Sequence, residues 1–114
     1  MRNYLIYLED IIAAMESIKT FVQGLSFNEF EHDDKTRSAV IQKFEIIGEA
    51  ANQIPPTVTE KYKDVPWDAM VGMRNKLIHH YFGVDYQLVW ETIHTIMPEV
   101  ETRLKTVLDG EKSY

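Results

Sequence analysis

The stretch VIQKFEIIGEAANQI, residues 40–54, decides the fold class of this 114-residue chain. A set of its apolar side chains recurs at steps of four and three residues, the spacing that places them on one side of an α-helix. These residues are Val40, Phe44, Ile47, Ala51 and Ile54. Two prolines follow directly and stop the helix, because proline supplies no backbone N–H donor. The stretch therefore predicts a long amphipathic helix.

The same spacing precedes this central helix. From the fourth residue on, apolar side chains again follow one another at steps of four and three, and Gly24 suits the end of the helix that they predict. This stripe comprises Tyr4, Leu8, Ile11, Met15, Ile18, Val22 and Leu25. Ser26 and Glu29 have the spacing of a capping box, which predicts a short second helix, and Asp33 favours the start of the central one.

Two more helices are predicted after the central one. Residues 57–65 are polar and without periodicity, so they predict a loop. Side chains at helical spacing then predict a third long helix over about residues 66–82. Asp85 can cap the last helix, Pro98 predicts a kink within it and Gly110 predicts its end. The stripe of that helix comprises Val89, Ile93, Ile96, Val100, Leu104 and Val107.

The connections between these helices are short, and no stretch alternates apolar and polar residues as a half-buried strand does. Neighbouring helices joined by short connections pack most simply in an antiparallel arrangement. We therefore predict an all-α antiparallel bundle of four to five helices. It forms one domain over residues 1–110, followed by a frayed tail at residues 111–114.

Composition excludes several classes of protein. The chain has no cysteine, which removes disulfides, thiolate metal sites and cysteine nucleophiles. No apolar run approaches the length of about 18 residues that a membrane-spanning helix needs. Acidic residues also interrupt the N-terminal apolar stretch too early for a signal peptide. We therefore expect a soluble cytoplasmic protein that does not insert into membranes.

One basic segment lies within an acidic chain. The formal net charge is −6, which argues against a broad electrostatic grip on nucleic acid. Residues 69–84, in contrast, contain no Asp or Glu but include Arg74, Lys76, His79 and His80. An anionic ligand would be drawn to this segment, so any contact with RNA or DNA is local. For Lys76 alone, a solvated surface position is the simpler interpretation.

Helix geometry sorts this segment into two neighbouring stripes. At about 100° per residue, Tyr81 lies about 20° from Arg74 around the helix axis, and Asn75 lies about 40° from His79. Arg74 and His79 themselves are about 140° apart, too far to converge on one ligand alone. A pocket that uses both needs residues from another helix, or a second copy of this helix across a two-fold axis. We therefore predict a homodimer.

Such a cleft suits phosphodiester transfer without a metal ion. A histidine can move protons, and an arginine can hold a phosphate by paired, charge-assisted hydrogen bonds. On RNA, the 2′-hydroxyl can attack the adjacent phosphorus once it is deprotonated, so the protein needs no nucleophile of its own. His79 fits the proton-transfer role, because a position near a helix C-terminus favours the imidazolium form.

Residues 74–81, RNKLIHHY, fit the signature Arg-x4-His-x-Tyr inside the longer stretch MRNKLIHHYFGVDYQLVW at residues 73–90. This stretch resembles the HepT family of HEPN-domain toxins, as do IIGEAA at residues 46–51 and the helical layout. The resemblance covers nearly the whole chain, and the signature contains no departure. It implies a metal-independent endoribonuclease toxin of a type II toxin–antitoxin system. It also implies a homodimer in which the motif helices of both protomers line one cleft.

The resemblance assigns roles to single residues of the segment. Arg74 and His79 are the catalytic pair, and Asn75 is a supporting polar residue that can orient His79 from one turn away. Lys76 and His80 are further candidates for contact with RNA. No cofactor is expected.

A partner is implied as well. It is a minimal nucleotidyltransferase antitoxin of the MNT type, which neutralises the toxin by binding it and by transferring AMP from ATP to Tyr81. The adenylate would add bulk and negative charge beside Arg74, and so would block an RNA phosphate.

Two other classes of protein stay open. Pairs with the Glu-x-x-His spacing of ferritin-like di-metal proteins occur twice, and two more glutamates are available on other predicted helices. The residues are Glu29 with His32, Glu91 with His94, and Glu16 and Glu49. Glu29, however, falls at a capping position rather than inside a long helix. The other class is a non-catalytic module whose basic segment binds a nucleotide or a partner, with Arg74 only as an anchor.

Overall fold

A computed structural model describes residues 3–79 and 83–113 of the chain, and of residues 74–79 it describes the helical backbone alone. The described residues form helices joined by short turns, and no strand occurs among them. The helices are α1 (Tyr4–Val22), α2 (Phe27–Glu31), α3 (Asp34–Asn52), α4 (Pro56–Thr59), α5 (Trp67–His79), α6 (Tyr86–Glu91), a π-helical segment (Thr92–Ile96) and α7 (Met97–Lys112). The prediction of an all-α bundle is confirmed.

The central helix is α3, which packs against both α1 and α5. α1 also packs along α7 in the opposite direction, since Tyr4 bonds Glu111 whereas Lys19 pairs with Glu101. Large side chains from most of the helices fill the core between them. Those with the least exposure are Phe30, Leu8, Ile11, Ile18, Leu104, Val40, Val58, Val89 and Val107. Within residues 3–79 and 83–113, no helix is long and apolar enough to cross a membrane.

The capping residues that the sequence predicts are confirmed in atomic detail. The Ser26 hydroxyl accepts the Glu29 N–H at 3.1 Å while the Glu29 carboxylate accepts the Ser26 N–H at 3.0 Å, which is a complete capping box. Asp33 caps α3, and Asp85 caps α6 in the same way. Gly24 follows α1 with a φ of 79°, a left-handed conformation that favours glycine.

The predicted loop at residues 57–65 is wrong at its beginning. Pro56 does not only stop the central helix but also opens α4, because proline is well suited to the first turn of a helix, where its missing N–H costs nothing. Val58 in this turn and Val65 beyond it are each 2% exposed. The segment is therefore anchored to the core by these two valines, while most of its other residues are exposed.

The last predicted stripe is wrong at Ile96, which is 52% exposed. The π-helical segment Thr92–Ile96 lies just before Pro98 and places more residues in each turn than an α-helix does. The smaller rotation per residue shifts the register by one, so that Ile96 faces outward and Met97, which is 2% exposed, takes its place in the core. The irregularity that Pro98 predicts is thus a π-helical turn ahead of the proline.

α7 continues beyond Gly110, its predicted end, to Lys112. A Cβ at position 110 would lie 2.7 Å from the Tyr62 hydroxyl oxygen, so the glycine provides for close approach rather than for termination. Glu111, which was predicted to begin a frayed tail, is 8% exposed. The helix is held there by contacts across the fold.

Those contacts converge on the Glu111 carboxylate. It accepts hydrogen bonds from the hydroxyls of Tyr4 at 2.7 Å and Tyr62 at 2.9 Å, and from the Lys61 ammonium at 3.0 Å. The Tyr4 and Lys61 bonds hold the pKa of Glu111 below its ordinary value, and the bond to Glu111 raises the pKa of Tyr4. This network ties the start of α1 and the segment after α4 to the end of α7.

Replacing Glu111 with alanine is expected to lower the free energy of unfolding by about 3 kcal/mol, because two tyrosine hydroxyls lose a charged acceptor. Urea unfolding measures the change, with Asp109→Ala as the control that removes an exposed carboxylate from the same helix. Because the pKa of Glu111 is lowered on folding, its stabilising effect is complete above the ordinary glutamate pKa and is lost as the pH falls through the lowered value. The difference between the parent and Glu111→Ala should therefore shrink on acidification. Equal stability of Glu111→Ala and Asp109→Ala at neutral pH would contradict this account.

Candidate functional site

The described part of the basic segment lies mostly on α5, with Arg74 and His79 in the second half of that helix. Arg74, Asn75, Lys76 and His79 belong to one uninterrupted helix, Trp67–His79, so the predicted angles around its axis apply to their backbone positions. His80 and the predicted AMP acceptor, Tyr81, lie outside the described residues. The roles predicted for these residues therefore stay predictions.

The first half of α5 is firmly anchored. The Trp67 indole N–H donates to the Tyr62 carbonyl at 3.0 Å, and Trp67 and Met70 are each 7% exposed. Tyr62 in turn bonds Glu111, and Arg103 of α7 donates to the Asp64 carbonyl. The turn that leads into α5 is thus fastened to α7. These contacts fix the position of the start of α5.

α5 runs antiparallel to α3. Trp67 at the start of α5 lines one cavity with Ala51 near the end of α3, whereas Met73 lines another with Phe44, earlier in α3. Both helices rise by the same distance per residue. In this antiparallel alignment, the last turn of α5 therefore lies level with the first turns of α3. The basic segment therefore lies at the end of the bundle where α3 and α6 begin.

An open apolar cleft runs along the motif helix. It has a volume of about 520 Å³ and is lined by Ala69, Gly72 and Met73 of α5 together with residues of α3, α6, the π-helical segment and α7. Leu88 and Ile96, which line it, are 43% and 52% exposed, so two large aliphatic side chains border the same apolar surface. The cleft supplies an apolar surface directly beside the basic segment.

Sequence reasoning did not single out Arg37, which lies at the same end of the bundle. Its guanidinium sits 4.7 Å from the centre of the Tyr86 ring at the start of α6. It also pairs with Asp34 at 3.2 Å. The only signal in the sequence is its spacing, since Arg37 precedes Phe44 by two helical turns and therefore shares the face that α3 turns toward α5.

The side chains of the alternative di-metal site are engaged elsewhere. The Glu29 carboxylate belongs to the capping box, and the rings of His32 and His94 each hydrogen-bond a backbone carbonyl of their own helix, at 2.8 and 2.9 Å. Among the residues that the structure describes, no three His, Asp or Glu side chains lie close enough together to hold a metal ion. The Glu-x-x-His spacings therefore do not form a di-metal site in this part of the chain.

The similarity of this chain to known proteins indicates the same family as the motif. The sequence model of the family described as "Ribonuclease HepT-like" matches residues 11–107, which include the whole basic segment. Two similar proteins carry the name "Putative RNase". One, from Caldanaerobacter subterraneus subsp. tengcongensis, is 44% identical over 93% of this chain and 95% of its own length. The other, from Methanocaldococcus jannaschii, is 40% identical over 92% of this chain and 89% of its own.

A third relative, from Thermococcus cleftensis, is named "Probable ribonuclease HepT" and is 41% identical over 91% of this chain and 94% of its own length. No solved structure matches the chain. The similarity is therefore to proteins of nearly the same length, and it extends across all the long helices.

Proposed function

Because the chain belongs to the HepT-like ribonuclease family, we propose that it is the endoribonuclease toxin of a type II toxin–antitoxin pair and acts in the cytoplasm. The observation that carries the proposal is the coincidence of the family match with an intact Arg-x4-His-x-Tyr sequence motif whose arginine and histidine lie on α5. RNA is the substrate, and the reaction uses no metal ion.

In the proposed reaction the 2′-hydroxyl of one nucleotide passes its proton to a water molecule, and the 2′-oxygen attacks the adjacent phosphorus. The 2′-oxygen–phosphorus bond forms and the bond from phosphorus to the 5′-oxygen breaks, leaving a 2′,3′-cyclic phosphate and a 5′-hydroxyl. Arg74 neutralises the charge that develops on the phosphate, and His79 supplies a proton to the departing 5′-oxygen. Asn75 orients His79, while Lys76 and His80 contact neighbouring phosphates.

The proposed active form is a homodimer. Arg74 and His79 lie about 140° apart around α5, so one helix does not bring them together, and in the proposed dimer each site takes one of the two from each protomer. The apolar cleft supports this, because it borders α5 and carries two largely exposed aliphatic side chains, Leu88 and Ile96. A second copy seated there would bury them next to the basic segment.

Replacing Ile96 with glutamate is expected to convert the dimer into monomers and to abolish RNA cleavage with it, because a carboxylate would be buried without a partner. Sedimentation velocity at several protein concentrations measures the assembly state. Thr95→Glu adds the same charge at an exposed neighbouring position and should remain dimeric. A dimer that persists in Ile96→Glu would contradict the assignment of this surface.

The proposed regulator is a nucleotidyltransferase antitoxin that transfers AMP to Tyr81. With ATP and that partner, the parent chain should gain the mass of one AMP moiety and lose its ribonuclease activity. Tyr81→Phe should gain no mass and should stay active after the partner has been removed. Modification of Tyr81→Phe to the same extent would show that another residue is the acceptor.

The test of the proposed function is cleavage of total RNA by the purified, unmodified chain in the presence of a chelator. Cleavage under these conditions supports a metal-independent ribonuclease. RNA binding without cleavage would favour the non-catalytic module instead. Cleavage that appears only after a divalent cation is restored would contradict the proposed mechanism.

A further inference from the structure

We infer that Arg37 is an RNA-binding residue that holds a phosphate of the substrate strand beside the end of α5. The inference rests on the proposed function, which it deepens by adding a residue from α3 to a site otherwise built from the motif helix. Arg37 is outside the Arg-x4-His-x-Tyr motif, so the motif alone assigns it no role.

The position of Arg37 follows from the register between α3 and α5. Met73 and Phe44 line the same cleft. At about 1.5 Å per residue, His79 lies about 9 Å beyond Met73 along α5, and Arg37 lies about 10 Å beyond Phe44 in the same direction along antiparallel α3. Seven residues are close to two full turns, so Arg37 and Phe44 share a face of α3. Arg37 therefore stands level with the last described turn of the motif helix.

The guanidinium is already held in place before any ligand arrives. It stacks 4.7 Å from the centre of the Tyr86 ring, and its side chain is only 25% exposed. Such stacking restricts the side chain to few conformations, so little entropy remains to be lost on binding. A positioned cation of this kind is what a phosphate site requires.

The hydrogen-bonding capacity of Arg37 is largely unused. Its Nε atom is buried and has no hydrogen-bond partner among the residues that the structure describes. One terminal nitrogen pairs with Asp34 at 3.2 Å, but the Asp34 side chain is 90% exposed, so water weakens that pair. A phosphate can accept from the two terminal nitrogens at once, in a bidentate geometry that suits guanidinium groups.

Apart from Asp34, the nearby carboxylates of Asp33 and Asp85 are engaged with other partners. Asp33 accepts the N–H and hydroxyl of Thr36 at 3.1 and 2.7 Å, and Asp85 accepts the Leu88 N–H at 3.1 Å. Both are thus occupied in capping the helices that begin here, α3 and α6. Although acidic residues surround Arg37 in the sequence, its guanidinium is therefore still able to bind a phosphate of the RNA strand.

The test is equilibrium binding of a single-stranded RNA oligomer whose 2′-hydroxyls are all methylated, so that it cannot be cleaved by 2′-oxygen attack. Fluorescence anisotropy across a series of salt concentrations gives both the Kd and its salt dependence. Arg37→Ala should raise the Kd about tenfold and reduce the slope of log K against log salt by about 0.7, the value for one phosphate of a single strand. On cleavable RNA the same variant should raise KM and leave kcat unchanged.

The matched control is Lys35→Ala, which removes an equal charge from an exposed position on the same helix. It should change the Kd less than about twofold, because a rim charge that touches no phosphate acts only through the general field. Arg37→Gln keeps most of the side-chain length. It replaces Arg37→Ala in the test if the alanine variant unfolds at a clearly lower temperature than the parent. Equal Kd values and salt slopes for the Arg37 and Lys35 variants would overturn the inference.

The inference and the proposed function fail in different ways. RNA binding that depends on Arg37, without cleavage by the parent, would remove the catalytic proposal and keep the phosphate site. Cleavage by the parent with no effect of Arg37 on binding would do the reverse. A parent chain that binds no RNA would overturn both.

Discussion

Alanine at Arg74 or at His79 is expected to lower the rate of RNA cleavage by about 10²- to 10⁴-fold. Arg74→Ala removes the cation that meets the charge developing on the phosphate, and His79→Ala removes the proton donor to the 5′-oxygen. Both residues lie in the second half of α5, beyond the anchored turn that contains Trp67 and Met70. The losses should therefore appear in kcat, without a comparable loss of stability.

The measurement is single-turnover cleavage of a defined RNA, with thermal unfolding and sedimentation to show that each variant is a folded dimer. His32→Ala serves as a control, because it removes an exposed histidine whose ring bonds the backbone carbonyl of Asn28. It should cleave like the parent. Full activity in folded Arg74→Ala and His79→Ala would point to a contaminating nuclease and contradict the assignment.

Mixing the two inactive variants is expected to restore about a quarter of the parental activity. In a two-fold dimer, a site that takes Arg74 from one protomer and His79 from the other is intact in one of the two positions of a mixed dimer. Random exchange makes about half of the dimers mixed, which gives the expected quarter. The recovery from near zero would be one of the largest effects in this system.

The restored activity should require protomer exchange, so it should appear only after brief unfolding and refolding of the mixture. A mixture that stays inactive although mixed dimers are detected by mass would show that each site takes both residues from one protomer. The refolded single variants, treated in the same way, provide the baseline.

Local chemistry made most of the fold predictable. The capping box of Ser26 and Glu29 and the caps at Asp33 and Asp85 depend on residues three positions apart, and the structure contains all of them. The apolar spacing along α3 likewise survives intact, since Val40 and Ile54 and the residues between them on that stripe are buried. Each of these features can be read within one or two turns of a helix.

What could not be predicted depends on distant contacts. Gly110 has the local signature of a helix end, but Tyr62 and Tyr4 reach Glu111 from elsewhere in the fold and extend the helix. The exposure of Ile96 depends on a π-helical turn that shifts the register by one residue, and Pro98 signals an irregularity there without specifying this shift.

The residues of the candidate site also differ in whether local sequence or distant contacts place them there. Arg74 and His79 can be placed on one helix from spacing alone, because the motif is local. Arg37 reaches the same end of the bundle only through the packing of α3 on α5 and through its contact with Tyr86, neither of which a helical period reveals. A local sequence motif cannot identify a residue that reaches the site only through the packing of one helix on another.

The most direct test of the central claim is the chemical identity of the ends that the unmodified chain produces from a short RNA in the presence of a chelator. Mass spectrometry distinguishes them. Attack by the 2′-oxygen, assisted by Arg74 and His79, predicts a 2′,3′-cyclic phosphate on one fragment and a 5′-hydroxyl on the other. Fragments with a 3′-hydroxyl and a 5′-phosphate would contradict the account, because they require an attacking water in place of the 2′-oxygen.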